Sequence, residues 1–117
     1  MLTVLHKIAT SLIITLGLVH IGFTYHDYDR FTMGAVWFIG TGVAIILAGF
    51  LNITLRRDVG RDRLVRWLCI GTNIIFTLGF AGAILMLPQP QVFVGLLLFA
   101  SATASGFLIS HKWHSTK

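Results

Sequence analysis

The placement of charge constrains this chain more than any motif does. No Asp, Glu, Lys or Arg occurs from Ile8 to His26, from Phe31 to Leu55, or from Trp67 to His111. The last interval is about twice the ~20 residues one helix needs to cross hydrocarbon. It breaks at Pro88-Gln89-Pro90-Gln91, where two prolines signal a turn. Four apolar segments result, at about 3–25, 33–55, 64–87 and 92–111. A backbone in hydrocarbon must satisfy its own hydrogen bonds, and at these lengths a helix does so. A transmembrane β-barrel would need strands of roughly 10 residues with alternating polarity, which the sequence lacks. Charged residues make up 11% of the chain and mean hydropathy is +0.84, against about 25% charged in soluble domains. The expected fold is an all-α integral membrane protein: one domain over residues 1–117, built as a four-transmembrane-helix up-down bundle.

Lys7 ahead of an apolar run resembles the start of a secretory signal. The run continues to Tyr25 with no Ala-x-Ala-like site, so a retained helix is expected. The single cysteine, Cys69, has no partner for an internal disulfide and reads as a small packing residue.

Short loops rich in Lys and Arg stay cytoplasmic. The stretch RRDVGRDRLVR holds Arg56, Arg57, Arg61, Arg63 and Arg66, while Lys7, Lys112 and Lys117 lie near the termini. An up-down bundle puts all eight at one end, with Asp58 and Asp62, and leaves Arg30, Asp27 and Asp29 at the other. The two ends then carry +6 and −1, in agreement with the net +5. Both termini are expected to be cytoplasmic, with the HDYDR and PQPQ turns outside. The five loop arginines are read as lipid-headgroup contacts, each contributing on the order of 1 kcal/mol. No nucleic-acid partner is expected, because no aromatic or fold signature accompanies the basic charge.

Membrane helices associate through small residues and a few interhelical hydrogen bonds. In the first segment Thr3, His6, Thr10, Ile13, Gly17, His20 and Thr24 recur at spacings of three and four, which is one face. The expected seam of the second is Gly40, Ala44 and Ala48 with Thr41 and Asn52 beside it, and of the third Asn73, Thr77 and Ala81 with Gly82. The fourth offers Ala100, Ala102, Ala104 and Gly106 with Ser101 and Ser105. Asn73, ~14 Å into its helix, calls for a partner, since an unpaired amide in hydrocarbon is costly.

His20 lies ~7 Å inside the end of its segment, at a depth that Trp37 and Thr41 reach on the second helix. Thr24, Thr41 or the Tyr25 and Trp37 region could satisfy its ring. An intramembrane histidine invites a functional hypothesis, and three are open. A bis-histidine haem needs two histidines at matched depth, which one chain does not offer. A metal could use His20, His26, Asp27 and Asp29, or, at the basic end, His6 with His111 and His114, whose alternative role is interfacial anchoring beside Trp113. Proton coupling suits the histidine pKa, yet no carboxylate lies in any span to relay the proton. That absence also separates the chain from the small multidrug-resistance exporters, which depend on a glutamate in their first helix. No Ser/His/acid constellation is present, so no catalytic residue and no enzymatic activity are expected.

The runs GLVH, AVWFIGTGVAIILAGFLN and LPQPQ resemble small four-helix bacterial inner-membrane proteins of no assigned activity, close in general form to the DoxX-like group. His20, Trp37, Phe38, Gly40, Gly42, Gly49 and Asn52 carry the match. The resemblance implies a multi-pass protein of the bacterial inner membrane and supplies no catalytic residue or cofactor. The expected activity is binding of a small hydrophobic or amphipathic molecule in an outward-facing pocket within the bundle. Its candidate ligand-binding residues are His20, Thr24, Trp37, Thr41 and Asn73, in a chain expected to form a homo-oligomer. The rival readings are a structural or accessory subunit that needs a protein partner, and a metal or haem redox protein.

Overall fold

The structure, a computed structural model, describes residues 1–24, 29–30, 32–86 and 88–115, with side chains to residue 111. Four helices account for nearly all of it: α1 (Leu2–Gly22), α2 (Met33–Leu55), α3 (Arg63–Met86) and α4 (Pro90–Ser115). A single 3-10 turn, Asp58–Arg61, joins α2 to α3. All four helices are long and apolar enough to cross a membrane. They form a rod of 54 × 24 × 21 Å.

Local chemistry sets the helix starts. The Thr32 hydroxyl accepts the Ala35 N–H at 3.2 Å and caps α2. Asp62 Oδ1 accepts the N–H groups of Leu64 and Val65 at 2.8 and 3.3 Å and opens α3. Pro90 begins α4, where its missing N–H removes no helical bond and its fixed φ already suits the turn.

The buried residues follow a seven-residue period. On α1, His6 and Ile13, and Thr10 and Gly17, are buried, and Thr24, just beyond the helix, is buried as well. On α2 the sets are Ala35, Gly42 and Gly49; Ile45 and Asn52; Ala48 and Leu55. On α4 they are Val92, Phe99 and Gly106, with Gly95, Ala102 and Ile109. Such a period keeps one narrow seam facing antiparallel neighbours along the whole length of a helix. It also explains where the expected seams shift. Gly40, Thr41 and Ala44 follow a four-residue step that drifts off the seam, and all three are exposed. Ala81 and Gly82 on α3, and Ala104 on α4, are exposed for the same reason.

Consecutive helices run antiparallel, and α4 returns beside α1, so each helix has two neighbours. The tightest approach is between α1 and α2. A Cβ on Gly42 would lie 3.0 Å from the Gly17 carbonyl oxygen, and one on Gly17 would lie 2.8 Å from that of Gly42. The core joins Ala9 and Ile13 to Ile45, Ala48, Phe99 and Ala102, with Phe76 and Phe80 packed against it. Phe99 stacks on Phe76 at a ring separation of 4.7 Å. The pair α2 and α3 makes the sparsest contact of the four neighbouring pairs.

Candidate functional site

The end of the bundle that carries the arginine-rich turn contains a buried polar network. His6 and Thr10 enter it from α1, Asn52 from α2, and Cys69 and Asn73 from α3, each on the buried seam of its helix. Arg56, which terminates α2, turns its guanidinium inward. Its Nη1 donates to His6 Nδ1 at 2.6 Å and to the Thr10 hydroxyl at 3.0 Å. A guanidinium only donates, so Nδ1 accepts and the ring carries its proton on Nε2. Nε2 then donates to Asn52 Oδ1 at 3.1 Å.

Asn52 is the hub. Its Oδ1 also accepts from Asn73 Nδ2 at 2.7 Å and from the Cys69 thiol at 3.4 Å. Its Nδ2 donates to Asn73 Oδ1 and to the Ala48 carbonyl, both at 2.8 Å. The two amides therefore pair reciprocally across α2 and α3. The Thr10 hydroxyl donates to the His6 carbonyl at 2.7 Å. The fourth helix closes the site at Gly106, where a Cβ would be in ordinary contact with His6 Nε2 at 3.5 Å. Burial first, then the like charge of Arg57, lowers the Arg56 pKa from the usual arginine range, though a guanidinium remains cationic. The network holds no carboxylate. Its chemistry is that of a clamp, with a neutral imidazole linking a fixed cation to an amide pair.

Beyond Asn52 and Asn73 the α2–α3 seam opens into a cleft of about 320 Å³. Thr41 and Ile45 line it from α2, and Ile75, Phe76, Gly79, Phe80 and Ala83 from α3. Thr41 is its one polar side chain, and that hydroxyl donates to the Trp37 carbonyl at 2.9 Å. Nothing lies within 4 Å of a Cβ built on Gly79. At ~1.5 Å per residue, Thr41 is ~12 Å from the start of α2 and Gly79 ~10 Å from the end of α3, so the cleft reaches the middle of the rod.

The sequence candidates thus separate. Thr41 lines the cleft, whereas Asn73 belongs to the network at the basic end. His20 is half-buried and stacks on Phe38 at 3.9 Å. Trp37 is 71% exposed. Thr24 is buried, and its hydroxyl has no hydrogen-bond partner among the described residues. Tyr25, His26 and Asp27 lie outside the described residues, as do the side chains of Lys112, Trp113, His114 and Lys117, while Asp29 is exposed. Among the described residues, no three His, Cys, Asp or Glu side chains are grouped to hold a metal ion. Of the five arginines read as headgroup contacts, Arg57, Arg61 and Arg63 are exposed, Arg56 joins the network and Arg66 is buried.

Sequence reasoning missed the roles of His6, Asn52 and Arg56. The available signal was the seven-residue register, which puts His6 one heptad before Ile13 and Asn52 one heptad after Ile45. Comparison with protein-family models, with curated proteins and with solved structures finds no match for the chain.

Proposed function

We propose that this chain is a multi-pass protein of the bacterial inner membrane, with both termini cytoplasmic, that binds a small hydrophobic or amphipathic molecule in the α2–α3 cleft. The observation that carries the reading is the open seam. Of the neighbouring pairs, α2 and α3 make the sparsest contact: they are fastened at one end by paired amides and part above them around 320 Å³ of space. That volume lies at the lower end of the ~300–1,000 Å³ typical of ligand pockets. The lining selects for an apolar body, because the Thr41 hydroxyl is already engaged by its own helix. The cytoplasmic placement of the basic end follows from the bias of Lys and Arg.

The test is native mass spectrometry of the protein purified in mild detergent, comparing wild type with Gly79→Phe. Gly79 borders open space, so phenylalanine fills the cleft without displacing a neighbour. A bound non-lipid molecule at fixed stoichiometry, retained by Gly79→Ala and lost in Gly79→Phe, is the expected result. A wild-type protein that carries only bulk lipid refutes the reading and favours a protein partner covering the seam.

A further inference from the structure

A second cavity, of about 340 Å³, lies between α3 and α4 at the basic end. Arg63, Arg66, Trp67 and Ile70 line it from α3, and Phe107, Ser110 and His111 from α4. These positions recur at three and four residues, so each helix presents one face to the cavity. The face is graded along its length. Arg63, Arg66, Ser110 and His111 stand at the helix ends, and Ile70 and Phe107 follow about one turn further in.

Arg66 is the unusual member. It is only 9% exposed, and among the described residues no side chain or carbonyl accepts a hydrogen bond from its guanidinium. Its nitrogens are not among the enclosed atoms that lack a partner, and Arg66 lines the cavity; a guanidinium there is the group best suited to grip a phosphate with paired N–H bonds. Asp62, the nearest acid in sequence, is engaged with the first turn of α3 instead.

We propose that this cavity is a discrete site for one anionic phospholipid. The lipid phosphate sits against Arg66 and Arg63 with His111 and Ser110 at its margin, and an acyl chain runs inward past Trp67, Ile70 and Phe107. Basic recesses between helices on the cytoplasmic side suit such headgroups. The apolar continuation of the cavity favours a lipid over a free anion. The inference uses the membrane setting proposed above and does not depend on the α2–α3 cleft.

The experiment places the protein in nanodiscs of phosphatidylcholine containing a minor fraction of phosphatidylglycerol, and counts retained lipids by native mass spectrometry after release. One phosphatidylglycerol is expected to remain bound per chain. Arg66→Gln should reduce its retention about tenfold or more, since it removes a charge-assisted pair. His111→Glu, at an exposed position that tolerates change, should reduce it comparably by supplying Arg66 with a carboxylate. Arg57→Gln, on the exposed turn, should leave it within about twofold. The idea is overturned by equal retention of the two lipids, or by an Arg57→Gln loss that matches Arg66→Gln, which would mean diffuse surface attraction. Displacement of the lipid by millimolar inorganic phosphate would also overturn it, because the occupant would then be a free anion.

Discussion

If Asn52 is the hub of the buried network, its loss should cost far more than loss of the asparagine it pairs with. Replacing Asn52 by alanine leaves His6 Nε2–H, the Cys69 thiol and both ends of the Asn73 amide without their best partners. Counting the weak thiol bond as negligible leaves three orphaned groups. At ~1 kcal/mol or more for each buried group left unsatisfied, the expected loss is about 3–4 kcal/mol. Replacing Asn73 orphans much less. Asn52 Oδ1 keeps His6 and Cys69, Asn52 Nδ2 keeps the Ala48 carbonyl, and one N–H is left over. The expected loss is about 1–1.5 kcal/mol. The double variant removes the two Asn73 groups that Asn52→Ala orphans and leaves only His6 Nε2–H unsatisfied, so it should cost about 1–2 kcal/mol, less than Asn52→Ala alone and far from the sum of the two single losses. The assay is reversible unfolding in mixed micelles of mild detergent and dodecyl sulfate, followed by circular dichroism. Equal losses for the two single variants would refute the hub assignment, and so would strict additivity.

Three further outcomes follow from the packing. Arg56→Gln removes the donors to His6 Nδ1 and Thr10, and should cost ~1–2 kcal/mol in the same assay; Arg57→Gln, on the exposed turn, should stay within ~0.5 kcal/mol. Gly42→Val drives a side chain towards Ile21 and the Gly17 carbonyl and should destabilise by ~1–3 kcal/mol, whereas Gly40→Val meets open space, and a similar loss there would contradict the α1–α2 contact. Phe99→Ala empties the centre of the aromatic stack and should cost ~3–5 kcal/mol; a loss below ~1 kcal/mol would mean that Phe76 and Phe80 do not rest on it.

The helices were legible in the sequence because their cause is local. Charge-free length, the Pro88 to Gln91 turn and the arginine run each act within their own segment, and α2 starts and ends where the sequence reading put it. The seams were legible only where small and polar residues happened to mark the heptad, as on α1 with His6, Thr10, Ile13 and Gly17. On α2, Gly40 and Ala44 offered an equally small face, and sequence spacing alone carries no term for which face meets a neighbour. The decision came from Gly42 and Gly49 matching Gly17 and Ile14 across the interface, a relation between two helices. The network was hidden for a related reason. His6 and Arg56 sit near segment ends, where the usual expectation is solvent or headgroups, while their value lies in a partner 50 residues away. The same nonlocal logic explains the cleft. Ile75 and Gly79 look like ordinary lipid-facing residues, and they line a cavity because Asn52 and Asn73 fix α2 to α3 at one end while Phe76 and Phe80 turn towards Phe99 on α4. With those rings stacked on Phe99, they wall the upper α2–α3 seam without filling it.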